Sequence, residues 1–249
     1  MPAIPLSLAA LRSALERPLF AEKSWRLSPR PWSLPKDAVE EIRIIGQACL
    51  AFQQALERLY LKSRSGDRIL RNEELKVPWV SDYLDSGKPQ WLVDHGAAKA
   101  LKGNFPSVLR PDLIVTPDGF ALTEMDSVPG GIGLTAFLEE LYFSECSNGI
   151  PAAFYASLAS LCPERNDPSI ALVISEESAI YRPEMEWLAE RLGTAGQNLK
   201  VAHPNELEVR SDGVFLGDEK QDVLYRFWEL FDYEEVAVMR DICSAVEQG

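Results

Sequence analysis

Three carboxylates and one guanidinium recur at spacings that would gather them. Arg110-Pro111-Asp112 and Glu124-Met125-Asp126 lie on two alternating runs that flank Thr116-Pro117-Asp118-Gly119. Proline presets φ for the second residue of a type I turn, and glycine supplies a left-handed residue after it. Together they predict a three-residue hairpin loop with a glycine bulge. With Thr116 facing Phe120, Asp112 lies opposite Glu124 and Arg110 opposite Asp126. Side chains alternate along a strand, so all four project from one side of the ribbon. Like charges facing each other across a ribbon cost a few tenths to about 1 kcal/mol. They also raise carboxylate pKa values unless a cation sits between them. Mg²⁺ takes oxygen ligands from one or two carboxylates plus substrate phosphates, and this face suits it. An arginine beside those carboxylates could grip a phosphate through its fork of donors. The plainer alternative is a solvated hairpin face on which Arg110 neutralises its neighbours.

The next segment is glycine-rich. Pro129-Gly130-Gly131-Ile132-Gly133 follows the second run and precedes Leu134 to Phe143, which carries an amphipathic helical pattern. Glycines let backbone N–H groups approach an anion, and a helix N-terminus favours negative charge. The competing reading is a tight strand-to-helix turn under a packing constraint. The loop matches neither the Rossmann fingerprint nor a Walker loop.

The elements that must position these residues read as a mixed α/β chain. Residues 1–35 are punctuated by proline, with a short helix at Leu8 to Leu15 and with Trp25 and Trp32 as packing anchors. From Lys36 to Ser63, Val39, Ile42, Ile45, Cys49, Phe52, Leu56 and Leu59 recur at helical spacing and predict a long core helix. Trp79 to Leu84 and Gln90 to Val93 are short apolar segments about a turn at Ser86-Gly87-Lys88-Pro89. His95 is a lone loop histidine with no evident orienting partner, more in keeping with a structural role than with a base. A polar stretch covers Ser144 to Gly149, and a helix is expected near Ala152 to Leu161.

The character changes at Pro163 to Pro168, which predicts two domains, 1–165 and 166–249. Ile170 to Ser175 is an apolar run suited to a buried parallel strand. Pro183 to Leu192 is helical, and Leu199 to Ala202 is a second strand, as in a βαβ crossover. Val209 to Leu216 reads as a hairpin, Val223 to Phe227 as a strand and Glu234 to Val246 as a helix. Glu176 and Glu177 follow the first of these strands, where open α/β sheets bind ligands, and read equally as loop acids. Arg226, among aromatics in Tyr225-Arg226-Phe227-Trp228-Glu229, would line a crevice.

Length and charge narrow the partners. At 249 residues the chain can bury a real core, and its net charge of −13 argues against nucleic acid and anionic membrane surfaces. Cys49, Cys146, Cys162 and Cys243 lack CxxC spacing and read as reduced thiols; with His95 and His203 unclustered, a zinc site is not expected. Without a basic leader or an apolar run of membrane-spanning length, the expected compartment is the cytoplasm.

The stretch from Leu109 to Phe143 resembles the circularly permuted ATP-grasp proteins, the group that includes the glutathionylspermidine synthase-like ligases. That family shows an Arg-x-Asp pair on one strand and Glu-x-Asn or Glu-x-Asp on the next, with a turn of the same length. The resemblance implies that Asp112, Glu124 and Asp126 hold the Mg²⁺ bridging the phosphates of ATP. It implies that Arg110 stabilises the transferred phosphoryl group, and that the loop with Gly130, Gly131 and Gly133 contributes to the nucleotide site. Asp126 stands where the synthases usually have asparagine, and either residue can ligate Mg²⁺. Ile170 to Phe227 resembles the family's pre-ATP-grasp domain. The implied activity joins a small-molecule carboxylate to an amine through an acyl phosphate. In the family, lysines that grip ATP follow the pre-ATP-grasp domain, and here the chain ends at Gly249. The expectation is therefore an N-terminal portion of a ligase, or a chain completed by a partner. The alternatives are a binding or scaffold relative without turnover and a Mg²⁺-dependent phosphohydrolase.

Overall fold

The structure is a computed structural model that describes residues 5–21, 23–70, 76–143 and 149–248. Cys146 and most of the polar stretch from Ser144 to Gly149 lie outside the described residues. In chain order the elements are α1 (Leu8–Leu15), α2 (Lys36–Ser65), α3 (Pro78–Asp85), α4 (Gln90–Gly96), β1 (Arg110–Thr116) and β2 (Gly119–Asp126). Next come α5 (Ile132–Tyr142), α6 (Ile150–Ala159), β3 (Ile170–Ile174), α7 (Arg182–Gly193) and β4 (Leu199–Ala202). The last are β5 (Leu207–Arg210), β6 (Gly213–Leu216), β7 (Glu219–Gln221), β8 (Val223–Phe227) and α8 (Met239–Gln248). The chain is a mixed α and β protein. Its contacts group it into two discontinuous units, Met1–Leu34 with Val128–Glu229, and Pro35–Ser127 with Leu230–Gly249. That grouping differs from a single cut near residue 165, because β2 and α5 fall in different units although the chain joins them directly.

The first unit is built on a parallel sheet in the order β4-β3-β8. Every residue of β3 is buried, as its uninterrupted apolar run predicts for a strand covered on both faces. The crossover β3-α7-β4 turns Met185, Leu188 and Leu192 inward, and β8 pairs with the other edge of β3 from Ile170↔Val223 to Ile174↔Phe227. A second cluster joins Ala14, Leu19, Phe20, Leu134 and Phe137. Trp25 reaches it by an edge contact with Phe20 at 6.4 Å. Trp32 does not act as the expected anchor: it is 72% exposed. The predicted hairpin is present and carries a third strand, β7, that sequence pattern did not show.

Glu219 ties that small antiparallel sheet to the parallel one. Its carboxylate accepts from the ammonium of Lys200, from Ser169 Oγ at 2.6 Å and from Asn198 Nδ2 at 2.7 Å. These bonds, Lys200 first, hold its pKa down at about 2, against the ordinary 4.5. A depressed carboxylate stabilises the fold fully above its unfolded pKa, and loses that contribution as pH falls through the folded one. Acid titration of stability should therefore show a slope between pH 4.5 and about 2 that Glu219→Gln reduces. Equal slopes in both proteins would contradict the assignment.

The second unit is organised on α2. Its C-terminal end is fixed by a buried hydroxyl: Ser63 Oγ donates to Val77 O at 2.5 Å and accepts from the Ser81 N–H at 2.9 Å. Its N-terminal half meets β2, where Glu41 Oε1 accepts from the Phe120 N–H at 3.0 Å. Between these ends the expected core face is only partly covered. Cys49 is the one residue of that stripe that is buried, whereas Val39 and Phe52 are 54% and 56% exposed. Helical periodicity shows that a helix has an apolar face; it does not supply the element that covers it. The apolar segments near Trp79 and Gln90 are the helices α3 and α4. Near the C-terminus, the helix expected from Glu234 starts at Met239.

Candidate functional site

The acidic residues come together at the open end of the β1–β2 ribbon. Arg110 pairs with Asp126, Pro111 with Met125 and Asp112 with Glu124, as predicted. The route to that register differs from the prediction. Thr116 pairs with Gly119 across a two-residue turn, so the extra residue does not sit in the loop. It sits in β2, where the register shifts between Asp112 and Leu113 and Thr123 has no strand partner. Thr123 Oγ1 closes this bulge by donating to Asp112 O at 3.0 Å. One residue more in the strand and one fewer in the loop leave the same pairs facing each other beyond it, because register counts residues and not where they bulge.

Arg110 links the two strands. Its Nε donates to Asp112 Oδ1 at 3.0 Å, and Nη2 lies 3.3 Å from Asp126 Oδ2. The side chains of Arg110 and Asp112 are 42% and 45% exposed, that of Asp126 is 22% exposed, and Glu124 is exposed. The guanidinium thus offsets two of the three charges, while Glu124 faces Asp112 with solvent access. Among the described residues, no group of three or more His, Cys, Asp or Glu side chains stands close enough to enclose a metal ion. The donor set still fits Mg²⁺, which needs only one or two protein carboxylates and completes its shell with water and phosphate oxygens. Asp112 and Glu124, in register and accessible, are the pair that would hold it, and Asp126 is the more sheltered partner of Arg110.

The glycine-rich loop has a different occupant. Glu184, from α7, is only 3% exposed, and its carboxylate accepts from the Gly131 N–H at 2.6 Å and the Leu134 N–H at 2.8 Å. These are the amides at the N-terminus of α5 that the sequence offered to an external anion. The anion they hold is the chain's own. The glycines answer to close packing on the same segment. A Cβ at Gly133 would lie 2.1 Å from the Glu184 carbonyl oxygen, and one at Gly130 would lie 2.1 Å from the Tyr181 ring. Gly131 adopts φ 85° as the N-cap of α5, a left-handed conformation that favours glycine. Gly130, Gly131 and Gly133, expected to contact nucleotide, therefore have structural reasons of their own.

The remaining candidates are placed as follows. His95 does have a partner, Glu247 of α8, with Nδ1 to Oε1 at 2.7 Å. Glu176 and Glu177 are exposed beyond the end of β3. Arg226 turns back to donate to the carbonyl of Trp228. Cys49 and Cys243 are buried free thiols, and burial pushes the Cys162 thiol above its ordinary pKa. Sequence reasoning missed Glu184. Its signal was a glutamate in the first turn of a helix, a common preference at helix N-termini that points to no distant partner. No family model and no curated protein matches this chain.

Proposed function

We propose that the chain binds Mg²⁺ and ATP at the acidic end of the β1–β2 ribbon and forms part of a carboxylate–amine ligase of the permuted ATP-grasp type. The observation that carries this reading is the Arg110 bridge between Asp112 and Asp126, with Glu124 in register beside it. Asp112 and Glu124 would hold the metal, which when bound neutralises phosphate charge and orients the γ-phosphoryl group. Arg110, whose guanidinium bridges Asp112 and Asp126 at the same end of the ribbon, would stabilise charge on the transferred group. In the reaction, a substrate carboxylate oxygen attacks the γ-phosphorus and releases ADP. The amine then attacks the acyl carbon, and phosphate leaves as the amide forms and a proton is lost. The loop amides of Gly131 and Leu134 take no part while Glu184 holds them.

A second reading, a binding relative without turnover, draws support from that occupied loop. Both readings are tested by the metal site. Mn²⁺ titration followed by electron paramagnetic resonance should show binding to the native chain. Glu124→Ala should weaken it by about tenfold or more, the loss of a charged ligand, with the circular dichroism spectrum unchanged. Native affinity in that variant would count against the site. Metal and ATP binding without release of ADP in the presence of carboxylates and amines would favour the second reading.

A further inference from the structure

The first unit holds a cleft of 360 Å³ between α1, α5 and α7, lined by none of the residues of the acidic ribbon. Its floor is aromatic: Phe137 and Trp187 meet edge to face with centroids 5.6 Å apart. Leu141 adds an apolar wall and Ser13 a hydroxyl. Two charged side chains line it, and their states differ. Glu140 is already neutralised, its Oε1 lying 2.5 Å from Arg191 Nε. Arg17 is exposed, and among the described residues it has no carboxylate partner. Its guanidinium stands 5.8 Å from the centroid of the Phe137 ring, which orients the cation at the lip of the apolar floor.

We propose that this cleft binds a small aromatic carboxylate, its anionic group on Arg17 and Ser13 and its ring against Trp187 and Leu141. The volume lies at the lower end of small-molecule sites and suits a one-ring ligand. An aromatic face with a cation at its rim that has no carboxylate partner among the described residues selects an anion attached to a flat apolar body. A phosphate alone would leave the aromatic floor uncovered, and a neutral ring would leave the guanidinium without a partner. Glu140 is engaged by Arg191, which reduces its repulsion of a bound carboxylate. The proposal does not rest on the ligase reading, because none of these residues belongs to the ribbon.

The test is saturation-transfer NMR and calorimetric titration of the full chain with phenylacetate and with neutral phenylacetamide, without ATP or metal. Phenylacetate should bind, and phenylacetamide about tenfold more weakly, as expected for losing one charge-assisted contact. Arg17→Gln should erase that preference, while Arg17→Lys retains most of it. Trp187→Leu should weaken both probes. Thermal melts of each variant check that the fold persists, above all for Trp187→Leu, whose ring packs on the core cluster. The proposal is overturned if phenylacetate does not bind the native chain, if both probes bind equally, or if Arg17→Gln leaves the preference intact.

Discussion

Replacing Glu184 with alanine lowers the stability of the chain by about 3 kcal/mol, the expected cost of stranding buried donors that had bonded a charged group. The side chain is buried, and its two oxygens take one amide each from the start of α5. Those amides are helix-terminal donors with no partner inside their own helix. A carboxylate there also meets the positive end of the α5 dipole. Alanine removes the acceptor and leaves both amides without it in a buried place. Glutamine, which keeps one carbonyl oxygen and the volume, should cost less. Urea unfolding of the three proteins checks this. A loss below about 1 kcal/mol for alanine, the range of a solvated contact, would mean that Glu184 does not hold the loop.

The second large effect is steric. Gly133→Ala would drive its Cβ to 2.1 Å from the Glu184 carbonyl oxygen, a backbone atom of α7 that cannot rotate away. Overpacking of this kind costs about 1–3 kcal/mol, and a backbone obstacle places it at the upper end. Gly130→Ala faces the Tyr181 ring instead, a side chain that can yield, so its loss should be smaller. The ordering of the two midpoints in denaturant is the measurement. If Gly133→Ala were as stable as the native chain, α5 and α7 would not approach as closely as this geometry requires.

Both predictions concern the glycine-rich loop, which the sequence left open between an anion cradle and a tightly packed strand-to-helix turn. Glycines before a helix fit both an anion cradle and a close packing joint, since both need backbone without side chains. What separates the two is Glu184, which lies 53 residues from Gly131 in the chain. Local pattern carries no information about such a pairing. His95 and Glu247 are further apart still, and the sequence shows no partner for the histidine for the same reason. By contrast, the parallel sheet was legible because its signal is local and strong: five successive apolar residues in β3, a helix and a second apolar run. The ribbon was legible in its register but not in its turn, since pairing at the open end depends only on how many residues intervene. The stripe of α2 was legible as a helix and misleading as a core, because amphipathicity names a face and not its partner.

The ribbon remains the centre of the functional account, and calorimetry of Mg²⁺-dependent ATP binding tests it most directly. The native chain and an Asp112→Asn/Glu124→Gln variant should be titrated with ATP, each with Mg²⁺ and with chelator. The account predicts binding to the native chain that needs Mg²⁺ and disappears in the variant, while both proteins unfold at the same denaturant concentration. Mg²⁺-dependent ATP binding of equal strength in the variant would place the nucleotide elsewhere and contradict the site.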